Sequence, residues 1–194
     1  MFKEALIALC VGFAAANTCD SATVDGMWFF TLDTSVAAYA HGGEDLNPKY
    51  NCFEVSEDKT AIQKFRVDLK KPLVTKALKP LTLSGNPTSL RQMKAQADDN
   101  NEENCVDKQL RADIAEAVKD TEDSCQGLVN ALASKLNRPG WAMNCVTRSS
   151  GGLSIGFFSR DENFCRYDTV KGGKVYTLSL AKLDKSEPQP APEE

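Results

Sequence analysis

Seven cysteines, one of them inside an apolar leader, constrain this 194-residue chain more than any other feature. Residues 1–16 read MFKEALIALCVGFAAA, with Lys3 before a short apolar core and Ala14, Ala15 and Ala16 after it. A positive start, an apolar stretch and small residues at the end are the pattern of a secretory signal peptide, expected here to be cut after Ala16. The apolar stretch falls well short of the ~20 residues needed to span a bilayer. No second apolar stretch of membrane length follows. An exported chain without a membrane span is therefore expected, located outside the cell.

Cleavage removes Cys10 and leaves Cys19, Cys52, Cys105, Cys125, Cys145 and Cys165. An even number of cysteines in an oxidising compartment predicts a disulfide framework of three bridges. Six cysteines allow 15 connectivities, and spacing does not choose among them. A structural zinc site has little support, because the chain has one histidine and no CxxC pair. No cofactor is expected. With 23 basic and 27 acidic side chains the net charge is −4, which argues against nucleic acid as a partner.

The organisation follows from composition. Residues 17–95 are a strand-rich N-terminal half. Residues 96–104, QADDNNEEN, form an acidic, polar linker or exposed loop. Residues 105–183 carry a helix and three strands, and residues 184–194, DKSEPQPAPEE, are a Pro- and Glu-rich tail expected to be disordered. In the N-terminal half, strands are predicted at 28–32 and 50–55. A third is predicted at 62–69, where Phe65, Val67 and Leu69 alternate with polar residues, and the last two form a hairpin. Residues 74–83 read as an edge strand or irregular segment because of Pro80, and residues 90–97 as a short helix.

Asp107 is placed to cap a helix in which Leu110, Ile114, Ala117 and Val118 recur at helical spacing. The stripe resumes at Cys125, Leu128, Val129, Leu132 and Leu136 after a weak point at residues 120–124, giving one long helix or two joined near Asp123. Asn137-Arg138-Pro139-Gly140 ends it, and strands follow at 141–148, 153–158 and 174–180. The fold class expected is α+β: a small antiparallel sheet packed by one or two helices, disulfide-stabilised, with a strand-rich N-terminal half.

Candidate chemistry is sparse. His41 is the single imidazole and would serve a hydrolase as general base, with Glu44 or Asp45 orienting the ring. The glycines after it, Gly42 and Gly43, mark a loop in which a solvated histidine needs no task. No GxSxG elbow is present, and Gly151-Gly152-Leu153-Ser154-Ile155-Gly156 falls short of GxGxxG. Asp98, Asp99, Glu102 and Glu103 offer oxygens to calcium but lack the glycine and final glutamate of an EF-hand loop. Gly26-Met27-Trp28 is similar to the GxW that opens lipocalin barrels, which implies a carrier of a small apolar ligand. The helical pattern at 105–137 conflicts with an eight-stranded barrel.

A second resemblance covers more of the chain. Its residues are Asn104-Cys105 with Leu110, then Ile114, Ala117 and Leu132, then Asn144-Cys145. The strand Leu153-Ser154-Ile155-Gly156-Phe157, the pair Phe164-Cys165 and the strand around Val175-Tyr176 complete it. Residues 105–180 in this pattern resemble the ground-like domain of nematode secreted, hedgehog-related proteins. The resemblance implies an exported, cysteine-bridged module without catalytic residues that acts on an extracellular protein partner. Two departures stand out: the last strand has Tyr176-Thr177 where that family carries a cysteine, and Cys125 is an extra. The family's bridge pattern is therefore not carried over.

Overall fold

The computed structural model describes residues 28–33, 37–41, 51–55, 61–78, 97, 101–136, 138–148 and 154–185. Side chains are described at 65–74, 97, 101–136, 138–147 and 158–185. The expected signal peptide, the tail beyond residue 185 and the residues 90–96 of the predicted short helix lie outside these ranges.

Nine strands and two helices are described from end to end, in an α+β arrangement of antiparallel sheets. In chain order they are β1 (Trp28–Asp33), β2 (Ala37–His41), β3 (Asn51–Val55), β4 (Ala61–Arg66), β5 (Val74–Leu78), α1 (Lys108–Val118), α2 (Cys125–Lys135), β6 (Trp141–Arg148), β7 (Ser154–Phe158), β8 (Phe164–Lys171) and β9 (Lys174–Lys182). Three sheets result, ordered β1-β4-β3, β2-β6-β9-β8 and β5-β7.

The helices form where the stripe predicts them, and the weak point separates two. Asp107 caps α1 by accepting the Leu110 N–H at 3.0 Å, and Ser124 caps α2 by accepting the Gly127 N–H at 3.0 Å. Residues 119–124 join the helices, and they are pinned by side chains reaching backbone carbonyls. The Lys171 ammonium donates to the carbonyls of Lys119 (3.0 Å) and Thr121 (2.9 Å), and Lys135 donates to that of Ala117 at 2.9 Å. These cations sit where a helix C-terminus leaves carbonyls without helical partners.

Alternation along the sheet sorts its side chains onto two faces. Met143 and Cys145 of β6, Tyr176, Leu178 and Leu180 of β9 and Cys165 of β8 meet the helices. There they join Leu110, Ile114, Val118, Leu128, Val129 and Leu132 in the main core. The opposite face carries Ala142, Ala181 and Phe164, packed on Phe65, Val67 and Leu69 from the N-terminal half. β9 is central and buried on both faces, so every residue from Val175 to Ala181 is buried.

The two halves share sheets rather than standing apart. β2 pairs with β6, placing Ala38 opposite Cys145, and β5 pairs with β7. Beyond β9, Leu183 bridges to Val67: Asp68 N–H donates to Lys182 O at 2.9 Å, and Asp184 N–H donates to Arg66 O at 3.0 Å. The predicted β3–β4 hairpin is present, with Val55 opposite Ala61.

Three expectations change. The strand predicted at 153–158 leaves the C-terminal sheet and pairs with β5, 76 or more residues earlier in the chain. Its place beside β9 is taken by β8, which the sequence reading passed over. The turn between β8 and β9 uses Gly172 (φ 53°) and Gly173 (φ 73°), the left-handed pair that a two-residue hairpin loop demands. Residues 101–104, read as part of a polar linker or loop, are helical, and Ala97 and Asn101 are buried.

Candidate functional site

The described cysteines form two bridges, and both fasten the helix layer to the sheet. Cys105, just before α1, is bonded to Cys165 of β8, across 60 residues. Cys125, the first residue of α2, is bonded to Cys145 of β6, across 20 residues. The two bridges are nested, Cys125–Cys145 lying within the span of Cys105–Cys165. The Cys19 side chain and the Cys52 side chain lie outside the described residues, although Cys52 backbone sits in β3 opposite Lys64.

At the β8 edge of the four-stranded sheet lies a buried polar cluster that the sequence pattern does not announce. Asp168 of β8 is buried, its carboxylate accepting from Thr177 Oγ1 at 2.7 Å and standing 3.5 Å from Arg166 Nη2. The side chains of Arg166 and Asp168 are only 5% and 1% exposed, so the pair is desolvated and held by hydrogen bonds. Asn101 completes it: its Nδ2 donates to Asp168 O at 2.9 Å, and its Oδ1 accepts the Asp168 N–H at 2.6 Å. β8 is an edge strand, and this amide takes the place of a neighbouring strand at that residue.

A second buried carboxylate ties the halves together. Asp161 Oδ2 accepts the N–H groups of Lys70 (2.7 Å) and Lys71 (2.8 Å), while its Oδ1 accepts the Asn163 N–H at 2.9 Å. Around it, Asn163 Nδ2 donates to Asp68 O at 2.8 Å and Ser159 Oγ to Lys71 O at 3.2 Å. Two consecutive N–H groups converging on one carboxylate oxygen form a small anion cradle, filled here by the protein's own side chain. Nearby on the surface, Lys70 pairs with Glu162 at 2.8 Å, which raises the lysine pKa above its usual range.

The other candidates are placed only in part by the described residues. His41 is the last residue of β2, opposite Ala142, rather than a loop residue; its side chain lies outside the described set. Of the four carboxylates considered for calcium, Asp98 and Asp99 lie outside the described residues. Glu102 and Glu103 are exposed, and Glu103 stands 3.8 Å from Arg160. Among the described residues no three His, Cys, Asp or Glu side chains gather in a way that would hold a metal ion. No described helix is long and apolar enough to cross a membrane.

Residues 20–186 match the family described as Family of unknown function (DUF5352). The chain belongs to DUF5352. That match runs through both halves, the polar stretch at 96–104 and all four bridged cysteines, so the DUF5352 unit is the shared-sheet fold described above. It leaves outside residues 1–19 and 187–194. No curated protein matches the chain. No solved structure matches it either.

Proposed function

We propose that this DUF5352 protein is a secreted, disulfide-bonded binding module that acts through its surface on an extracellular protein partner. The observation that carries the reading is the pair of bridges, Cys105–Cys165 and Cys125–Cys145, which staple one layer of the fold to the next. Such bridges form and persist in oxidising compartments. The family match supports it by starting at residue 20, beyond the apolar leader cut after Ala16. The likeness of residues 105–180 to the ground-like domain points the same way. With two bridges formed, a third in the mature chain would join Cys19 to Cys52.

The buried polar groups speak for a structural interior rather than a reaction centre. Asp168 and Asp161 spend their oxygens on Thr177, Arg166 and backbone N–H groups of the fold itself. The test is capture from extracellular fluid with the tagged full chain, beside lipid extraction of the purified protein. Saturable capture of one protein species by wild type is the expected result. A stoichiometric apolar ligand in the extract would instead make the protein a carrier. Hydrolysis abolished by His41→Ala would make it an enzyme.

A further inference from the structure

The two bridges differ in burial. Cys105, Cys145 and Cys165 have no exposed surface, whereas Cys125 is 7% exposed. Its Sγ lies 3.6 Å from the hydroxyl of Thr147, a half-buried residue at the far end of β6. Cys125 is also the first residue of α2, where Ser124 caps the helix and the backbone N–H groups carry partial positive charge. A thiolate at that position is stabilised, and stabilising the thiolate stabilises the reduced form of the pair. Glu122 and Asp123, which precede it, are exposed, so solvent screens their repulsion. Tyr176, reaching in from β9, donates its hydroxyl to Asp123 O, and burial keeps that phenol neutral.

We propose that Cys125–Cys145 is a redox-sensitive catch, opened by an external dithiol while Cys105–Cys165 stays closed. One thiolate of the dithiol attacks Cys125 Sγ; the Cys125–Cys145 bond breaks, and Cys145 leaves with the electron pair and takes up a proton. The second thiol of the reductant then attacks its own sulfur in the mixed disulfide and expels Cys125. Two electrons pass to the protein, and the dithiol departs as a cyclic disulfide. α2 loses its covalent tie to β6 but keeps the packing of Leu128, Val129 and Leu132.

The test titrates the folded full chain with dithiothreitol, traps free thiols with N-ethylmaleimide and maps the labelled peptides by mass. In parallel, amide hydrogen exchange follows α2 and β9. Label is expected on Cys125 and Cys145 at a dithiothreitol concentration at least ~10-fold below that which opens Cys105–Cys165. Faster exchange confined to α2 should accompany it. Equal opening midpoints, earlier opening of Cys105–Cys165, or unchanged α2 exchange in the partly reduced protein would overturn the proposal.

Discussion

Asn101 grips Asp168 by both of its backbone hydrogen-bonding groups, at 2.9 and 2.6 Å, and so closes the edge of the four-stranded sheet without adding a strand. Removing that amide leaves a buried N–H and a buried carbonyl in search of partners. Asn101→Ala should therefore lower stability by about 2–3 kcal/mol, read as a shift of the urea midpoint at constant m. Asn101→Asp keeps the acceptor, loses the donor and sets a second carboxylate beside Asp168, so it should be at least as damaging. A midpoint unchanged by either substitution would mean that the edge is not held by this residue.

Asp161 gives a comparable prediction for the join between the halves. Asp161→Ala strips the acceptor from three backbone N–H groups and should cost about 3 kcal/mol, since buried donors without partners are penalised individually. Asp161→Asn retains one acceptor oxygen but turns an N–H₂ group toward a backbone donor, whichever way it flips. It should fall between alanine and wild type in thermal unfolding. Limited tryptic proteolysis after Lys70 should accelerate in both variants, because Lys70 and Lys71 lose the carboxylate that holds their amides.

The helix caps are separable. Ser124→Ala removes one bond to the Gly127 N–H and should cost about 1 kcal/mol. Asp107→Ala removes the bond to Leu110 N–H and also a half-buried ion pair with Arg138 at 3.3 Å, so it should cost somewhat more, about 1–2 kcal/mol. Thermal unfolding of the two single variants and the double variant tests this; the two caps hold different backbone N–H groups, so the losses should add.

Strong alkali should weaken the fold through Tyr176. Its phenol is 1% exposed and donates to Asp123 O; burial, and secondarily the Asp123 charge, hold its pKa above the usual 10.0. The protonated phenol is the form the fold favours, so its contribution is complete below pH 10 and is lost as pH rises through the raised value. Tyr176→Phe should be less stable than wild type by about 1 kcal/mol at pH 8, and the difference should shrink as pH climbs above 10. A constant difference across that range would contradict the assignment.

Much of the helix-and-strand half was legible because its residues obey one period at a time. Leu110, Ile114, Ala117 and Val118 keep helical spacing, and Asp107 and Ser124 carry the capping hydroxyl or carboxylate at the right places. Phe65 and Val67 keep strand spacing, and the β3–β4 hairpin is a local event. β8 hid because Arg166 and Asp168 occupy positions of alternation that face the interior, where an apolar residue would have marked a strand. Asn101 hid for the opposite reason: amid QADDNNEEN it looks solvated, and only the distant edge of β8 makes it a buried residue. The pairing of β7 with β5, and of β2 with β6, rests on contacts remote in sequence, which local pattern does not encode.

The proposed binding module is an exported chain with every cysteine bridged. Peptide mapping of the protein recovered from the medium of a secreting host, alkylated without reduction, tests it most directly. The expected result is a chain starting at Asn17, the bridges Cys105–Cys165 and Cys125–Cys145, a third between Cys19 and Cys52, and no alkylated cysteine. Retention of residues 1–16 on a chain held inside the cell, or a stoichiometric alkylated cysteine in the mature protein, would contradict it.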